Sequence, residues 1–354
     1  MKINGVFQGG GVKGVALAGA VDAAQQRGFE FDRVAGTSSG SIIAAFLAAG
    51  YTGEEMKRMI IDMPFRNFLK RAPIYNTRFI GPAARLLLKK GLYSGEALEY
   101  WVLQKLAARG VRTFGDLQPG QLRIIASDIS RGKLLVLPDD IAQYGIDPAK
   151  FLIAKAVRMS SSIPYFFDPV IIKRPRQPHV QRSKEESDYL YIVDGGLLSN
   201  FPLWLFDQQT DPGPHRPTIG FQLVGRTNQR VRQIRGPIAM LTALFATMMD
   251  AHDDRYIDEA NRFRTVKIPT HGVRVTQFDI TPEQSAELFD AGRDSAGKFF
   301  TRWSHDMYEA DYAKYVARTP PGPAAENDPP PRQPDPPPAR APVIRTGGTN
   351  KRIS

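Results

Sequence analysis

The chain has 354 residues, 42% of them hydrophobic, enough to bury one large core. It contains no cysteine, which excludes disulfides, thiolate metal sites and cysteine nucleophiles, so any covalent catalyst must be another residue type. The formal net charge of +11 at pH 7 calls for an anionic partner; without an aromatic stacking platform or recognition-helix pattern to suggest nucleic acid, an anionic membrane surface fits better.

The chain runs directly into a strand-like stretch, Ile3 to Gln8, without the charged head, long apolar run and small-residue cleavage site of an export signal. The longest apolar run elsewhere, Ile238 to Met249, falls short of the roughly 20 residues of a spanning helix. A cytoplasmic protein, soluble or peripheral on a membrane, is expected. Val12 to Arg27 reads as an Ala-rich helix stopped by Gly28, Phe31 to Ala35 as a second strand, and the run through Ile42, Ile43, Phe46 and Leu47 as a helix ending at Gly50. This βαβα start predicts a parallel sheet with covering helices.

From Pro64 to Tyr93 the pattern turns irregular and mixes apolar and aromatic groups with Arg66, Lys70, Arg71, Arg78, Arg85, Lys89 and Lys90 and no acid. That composition suits an interfacial lid whose bases meet lipid phosphates, and equally a solvated basic face. A helix over Ser94 to Arg109, strands at Leu122 to Ser127 and Lys133 to Leu137, a helix over Phe151 to Met159, and strands at Val170 to Ile172 and Tyr189 to Val193 resume the alternation. Between the last two strands, Lys173 to Asp188 reads as an exposed polar loop, whose Lys173, Arg174, Arg176, Arg182 and Lys184 would assist the lid. Next come a strand at Thr218 to Val224 and a helix from Pro237 to about Asn261, with Met240, Met248 and Met249 read as core. Short strands at Phe263 to Ile268 and Gln277 to Ile280 lead to one long helix from Pro282 to about Tyr312. Residues 319–354 are dominated by proline, cannot bury a core, and read as a disordered passive tail after a single domain, 1–318.

Three stretches carry chemistry. Gly36-Thr37-Ser38-Ser39-Gly40 joins a predicted strand to a helix and fits the G-x-S-x-G nucleophile elbow, in which glycines permit the turn that presents the serine; the pentapeptide alone also fits a plain tight turn. Gly9-Gly10-Gly11-Val12-Lys13-Gly14 matches both a dinucleotide fingerprint and a loop offering N–H groups to an oxyanion. The fingerprint expects an acid at the carboxyl end of the second strand, yet Asp32 lies at that strand's start and the elbow occupies its end, which favours the oxyanion reading. Lys13 reads as a solvated first-turn lysine near this loop. None of His179, His215, His252, His271 and His305 stands beside an obvious orienting acid at a strand end. The strand before Asp194 instead delivers that carboxylate into Gly195-Gly196 at its carboxyl edge, where doubly wound sheets gather active residues, so Asp194 is the candidate base; a turn former before paired glycines is its other reading.

The order Q-G-G-G-V-K-G, G-T-S-S-G, the block from Arg158 to Pro169, and D-G-G followed by L-L-S-N-F-P resembles the patatin-like phospholipases from about Lys2 to Pro202. The resemblance implies an α/β three-layer fold, with a central mostly parallel sheet and helices on both faces. It implies a Ser/Asp dyad without histidine, hydrolysis of carboxylic esters of phospholipids or related acyl lipids through an acyl-serine, and neither metal nor cofactor. Carried over, Ser38 attacks, Asp194 takes its proton, Gly9, Gly10 and Gly11 form the oxyanion hole, and Gly36 and Gly40 shape the elbow. Gln8 departs from the pattern, since several members have Ser or Asp there. A transacylase or acyl-CoA thioesterase would use the same residues, and a regulatory lipid-binding protein would keep them without turnover. The sequence names no protein activator.

Overall fold

The computed structural model describes residues 1–61, 90–173, 188–207, 215–225 and, with short interruptions, 259–317, together with isolated positions from 234 to 247. The chain divides into a compact unit, Met1–Pro320, and the remaining Pro321–Ser354. Most of the basic lid stretch, most of the polar loop after Lys173, most of the helix expected from Pro237, and the proline-rich tail lie outside the described residues. Met240, expected in the core, is described and is 53% exposed.

In chain order the elements are β1 (Lys2–Phe7), α1 (Val15–Gln26), β2 (Glu30–Thr37), α2 (Ser39–Ala48), α3 (Gly53–Ile61), β3 (Gly91–Tyr93) and α4 (Glu96–Ala107). There follow β4 (Leu122–Asp128), β5 (Lys133–Leu137), α5 (Ile153–Ser160), β6 (Tyr165–Phe167), β7 (Val170–Lys173) and β8 (Tyr189–Asp194). The described part ends with β9 (Thr218–Val224), β10 (Thr265–Pro269), α6 (Pro282–Arg302) and α7 (His305–Tyr315).

Eight strands form one sheet in the order β10-β9-β1-β2-β4-β8-β7, with β5 on β4, while β3 and β6 pair separately. The run from β10 to β4 is parallel; β5 and β8 are antiparallel to β4, and β7 to β8. β1 lies in the middle, between β2 and β9, and is buried from Ile3 onward, as its mainly apolar and small residues suit a strand covered on both faces; the buried polar Asn4 is satisfied by Thr218 and Arg33. One face of the sheet, carrying Ile3, Phe7, Val34, Ile124 and Phe221, packs in the main core with α1, α2 and α6. The other, carrying Val6, Ala35 and Ile125, is covered by Phe201 to Phe206, largely a 3-10 turn.

The structure differs from the sequence reading at three places. α3 is a short helix whose buried apolar side chains are Met56 and Ile60, with Met59 partly buried beside them, a stripe too short to stand out in the sequence. The single helix expected from Pro282 to Tyr312 breaks after Arg302, because Ser304 accepts a hydrogen bond from the Met307 N–H (3.3 Å) and caps a new helix, α7. Gln277 and Ile280, expected to bound a strand, lie in none.

Candidate active site

β8 is antiparallel, so its carboxyl end does not share the sheet edge where β1 and β2 end, as the sequence reading assumed. Register brings Asp194 to the serine instead. A strand has two hydrogen-bonding edges, and β5 occupies one edge of β4 from Ile124 to Asp128. β2 takes the other edge from Leu122 to Ile125, and β8 takes it over from Ala126 to Asp128. Thr37 pairs with Ile125 and Asp194 with Ala126, so the two strands meet end to end along β4, with Ser38 and Asp194 at the junction.

The junction turns sharply. Ser38 has φ 52° and ψ −123°, a conformation that non-glycine residues rarely adopt, and it is the residue from which α2 starts. A side chain on Gly40 would lie 2.2 Å from the Phe7 carbonyl oxygen, so only glycine lets α2 approach the end of β1 this closely. The Ser38 N–H donates to the Ser160 Oγ (2.8 Å), and the Ser38 Oγ donates to the Asp194 Oδ2 (2.7 Å). Both residues are buried, Ser38 to 3% exposure and Asp194 completely.

Burial pushes the Asp194 carboxyl up to about 7, against the opposing pull of hydrogen bonds from the Gly196 N–H (2.8 Å) and the Ser38 hydroxyl. The Asp194 N–H donates to the Ser162 carbonyl (2.9 Å), and the Thr37 Oγ1 to the Ser199 carbonyl (3.0 Å), so neighbouring loops hold both strand ends in place. His215 and His305 both face Glu309 rather than Ser38.

The glycine loop after β1 lies alongside. Gly9 forms a reciprocal pair with Asn200, its N–H donating to the Asn200 carbonyl (3.2 Å) and its carbonyl accepting from the Asn200 Nδ2 (3.3 Å). The Gly10 N–H donates to the Ser39 Oγ (3.0 Å). Of the three glycines expected to offer N–H groups, two therefore use theirs within the protein, and the Gly11 N–H has no acceptor among the described residues. Gly11 itself has φ +59°, and a side chain there would lie 2.1 Å from the Val275 carbonyl oxygen. Gln8 anchors the base of the loop: its Oε1 accepts from the Leu223 N–H of β9 (2.5 Å).

Ser38 and Gly11 open onto a cavity of about 70 Å³ walled mainly by apolar side chains, among them Val12, Val15, Ile42, Ile60, Leu98 and Phe167. Among the described residues no group of three or more acidic or histidine side chains is placed to hold a metal, and no helix is long and apolar enough to cross a membrane. Of the seven basic residues in the expected lid, Arg66, Lys70, Arg71, Arg78, Arg85 and Lys89 lie outside the described residues. Lys90 is exposed, with its Nζ 4.7 Å from the Tyr191 ring centre. Sequence reasoning singled out Ser38, Asp194 and the glycines but not Ser39, Ser160 or Asn200. The last two fall in stretches whose order carried the family resemblance, and that order was the only signal they gave.

A buried serine on a strained strand-to-helix turn, hydrogen-bonded to a buried carboxylate beside a glycine loop and an apolar cavity, is an arrangement suited to acyl chemistry. The model of the patatin-like phospholipase family matches residues 5–207. The chain belongs to that family, one of phospholipase-type lipid hydrolases. The uncharacterized protein YqhO of Bacillus subtilis (strain 168) is 42% identical to it over 310 residues, covering 86% of this chain and 100% of YqhO. An uncharacterized protein of Acanthamoeba polyphaga mimivirus is 25% identical over 306 residues, 82% of this chain and 90% of its own. Among solved structures, VipD from Legionella pneumophila has a similar fold, with a TM-score of 0.50 at 18% identity over 84% of this chain and 67% of VipD.

Proposed function

We propose that the protein hydrolyses carboxylic esters of phospholipids or related acyl lipids with Ser38 as nucleophile and Asp194 as its base. The observation that carries this reading is the 2.7 Å hydrogen bond from the Ser38 Oγ to the Asp194 Oδ2, both buried, with the serine lining an apolar cavity.

Ser38 Oγ attacks the ester carbonyl as its proton passes to Asp194. The negative charge that forms on the carbonyl oxygen is met by the glycine loop, with the Gly11 N–H available from the outset and the positive end of the α2 dipole behind the serine. Collapse of the tetrahedral intermediate expels the alcohol, which takes the proton from Asp194 and leaves an acyl-Ser38. Water then attacks the acyl-enzyme with Asp194 again as base, releasing the fatty acid and restoring the serine. A carboxyl titrating near 7 suits this task better than a solvated one at about 3.9, because a base works best with its pKa close to the working pH.

The reading extends to a catalytic domain over residues 1–318 and to reversible association with an anionic membrane surface. The net charge of +11 and the exposed Lys90 support the latter. The test is labelling with a fluorophosphonate probe, with and without anionic vesicles, alongside flotation of the protein with those vesicles. Labelling is expected in the wild type, absent in Ser38→Ala and slowed in Asp194→Asn, with the protein floating on anionic but not neutral lipid. A wild type that never reacts under either condition would sink the catalytic reading, and one that ignores anionic lipid would sink the membrane one.

A further inference from the structure

Three consecutive serines close the end of α5, and each is used differently. Ser160 Oγ accepts the Ser38 N–H (2.8 Å). Ser162 donates its hydroxyl to the Arg158 carbonyl (2.7 Å), while its own carbonyl accepts the Asp194 N–H (2.9 Å). One therefore holds the nucleophile and the other the base. Ser161, between them, holds neither. Its N–H is taken by the Val157 carbonyl, its Oγ is shut off from solvent without a hydrogen-bond partner, and the residue lines the same small cavity as Ser38 and Gly11.

Buried hydroxyls are nearly always paired, and one left bare beside a reactive group needs an explanation. Of the three serines that line the cavity, the Ser38 Oγ is bonded to Asp194 and the Ser39 Oγ to the Gly10 N–H, so Ser161 alone brings an uncommitted hydroxyl. The rest of the wall is mainly apolar, and an acyl chain entering it carries only one polar group, the ester itself. We infer that the Ser161 hydroxyl is a substrate-contacting catalytic donor, which hydrogen-bonds the ester carbonyl oxygen and, together with the Gly11 N–H, receives the charge that develops on it. This rests on the acyl-hydrolase reading above and adds to it a side-chain donor from a different element than the glycine loop. No new bond is made or broken; the hydroxyl keeps its proton and strengthens its hydrogen bond as the oxygen becomes an oxyanion.

The test is steady-state hydrolysis of p-nitrophenyl butyrate by the full chain as wild type, Ser161→Ala and Ser161→Thr, with the melting temperature of each. A donor that acts in the transition state shows in kcat rather than KM. Ser161→Ala is expected to lower kcat by about 10- to 100-fold with KM within about twofold, and Ser161→Thr, which retains the hydroxyl, to recover most of the loss. A kcat within twofold of wild type in Ser161→Ala would overturn the proposal. So would a rise in KM at constant kcat, or equal losses in both variants accompanied by a fall in melting temperature, since those mark ground-state binding or plain packing. Failure of the wild type itself to turn over the ester would strike the acyl-hydrolase reading instead, and is distinguished by appearing before any substitution is made.

Discussion

Asp194 is a carboxylate that the fold surrounds with protein and that, among the described residues, has two hydrogen-bond donors, the Gly196 N–H and the Ser38 hydroxyl. Its proton is therefore held more tightly in the folded chain, with a pKa of about 7 against 3.8, than in the unfolded one. Where the native state binds the extra proton, stability falls as pH rises, so the loss runs from about pH 4 to about pH 7 and then levels off. Asp194→Asn has no proton to lose. In denaturant titrations across that window the variant is expected to gain on the wild type steadily, by up to about 4 kcal/mol at neutral pH. A constant difference at all pH values would show that the carboxyl titrates normally. Activity moves the opposite way: kcat/KM of the wild type is expected to rise with pH through about 7, as the base form fills. At this scale the sequence was informative where a residue type is scarce and its motif short, as with Ser38 in its elbow and Asp194 before paired glycines. It was mute on Ser160 and Asn200, which meet the site from 122 and 191 residues away through a hydroxyl and an amide of kinds common in surface loops.

The elements that apolar runs mark clearly, such as β1, α1, β2, β4 and β9, appear where periodicity puts them. What periodicity does not encode is strand direction and pairing. The antiparallel approach of β8 and its takeover of the β4 edge from β2 depend on how many residues of β4 the other strands leave free, a property of the assembled sheet. Ser160, the last residue of α5, shows how an element holds the site through the nucleophile's backbone. Ser160→Ala leaves the buried Ser38 N–H without its acceptor, a loss of roughly 1–3 kcal/mol for a buried donor. The expected result is a lower melting temperature together with at least a several-fold drop in kcat, because the strained φ of Ser38 loses one of its restraints. Unchanged melting and turnover would mean that the elbow is held by its glycines alone.

Across the whole compact unit, the residues matched by the family model end at Asp207, yet the sheet does not. β9 and β10 follow, β9 completes the second edge of β1, and the Val275 carbonyl accepts the Val12 N–H beside the glycine loop. The join is fastened by Asp207 itself. Arg264, only 2% exposed, bonds both Asp207 carboxylate oxygens, Nη2 to Oδ2 at 3.1 Å, and its Nε donates to the Asn261 Oδ1 (2.9 Å), ahead of β10. Removing one partner of such a pair strands a buried charge, so Asp207→Ala is expected to destabilise the protein by about 3–5 kcal/mol, measured by chemical unfolding. A cost below about 1 kcal/mol would show that water reaches Arg264.

The position of β1 also sets an order of events during synthesis. Asn4 pairs with Thr218, 214 residues later. At about 5–20 residues per second, the strand that flanks the glycine loop emerges from the ribosome roughly 10–40 s before the strand that will cover its open edge. Until then the loop lacks both the Leu223 N–H that fixes Gln8 and the Val275 carbonyl that fixes Val12. A nascent chain therefore carries Ser38 through the synthesis of every residue up to Val275 before the glycine loop beside it is fixed.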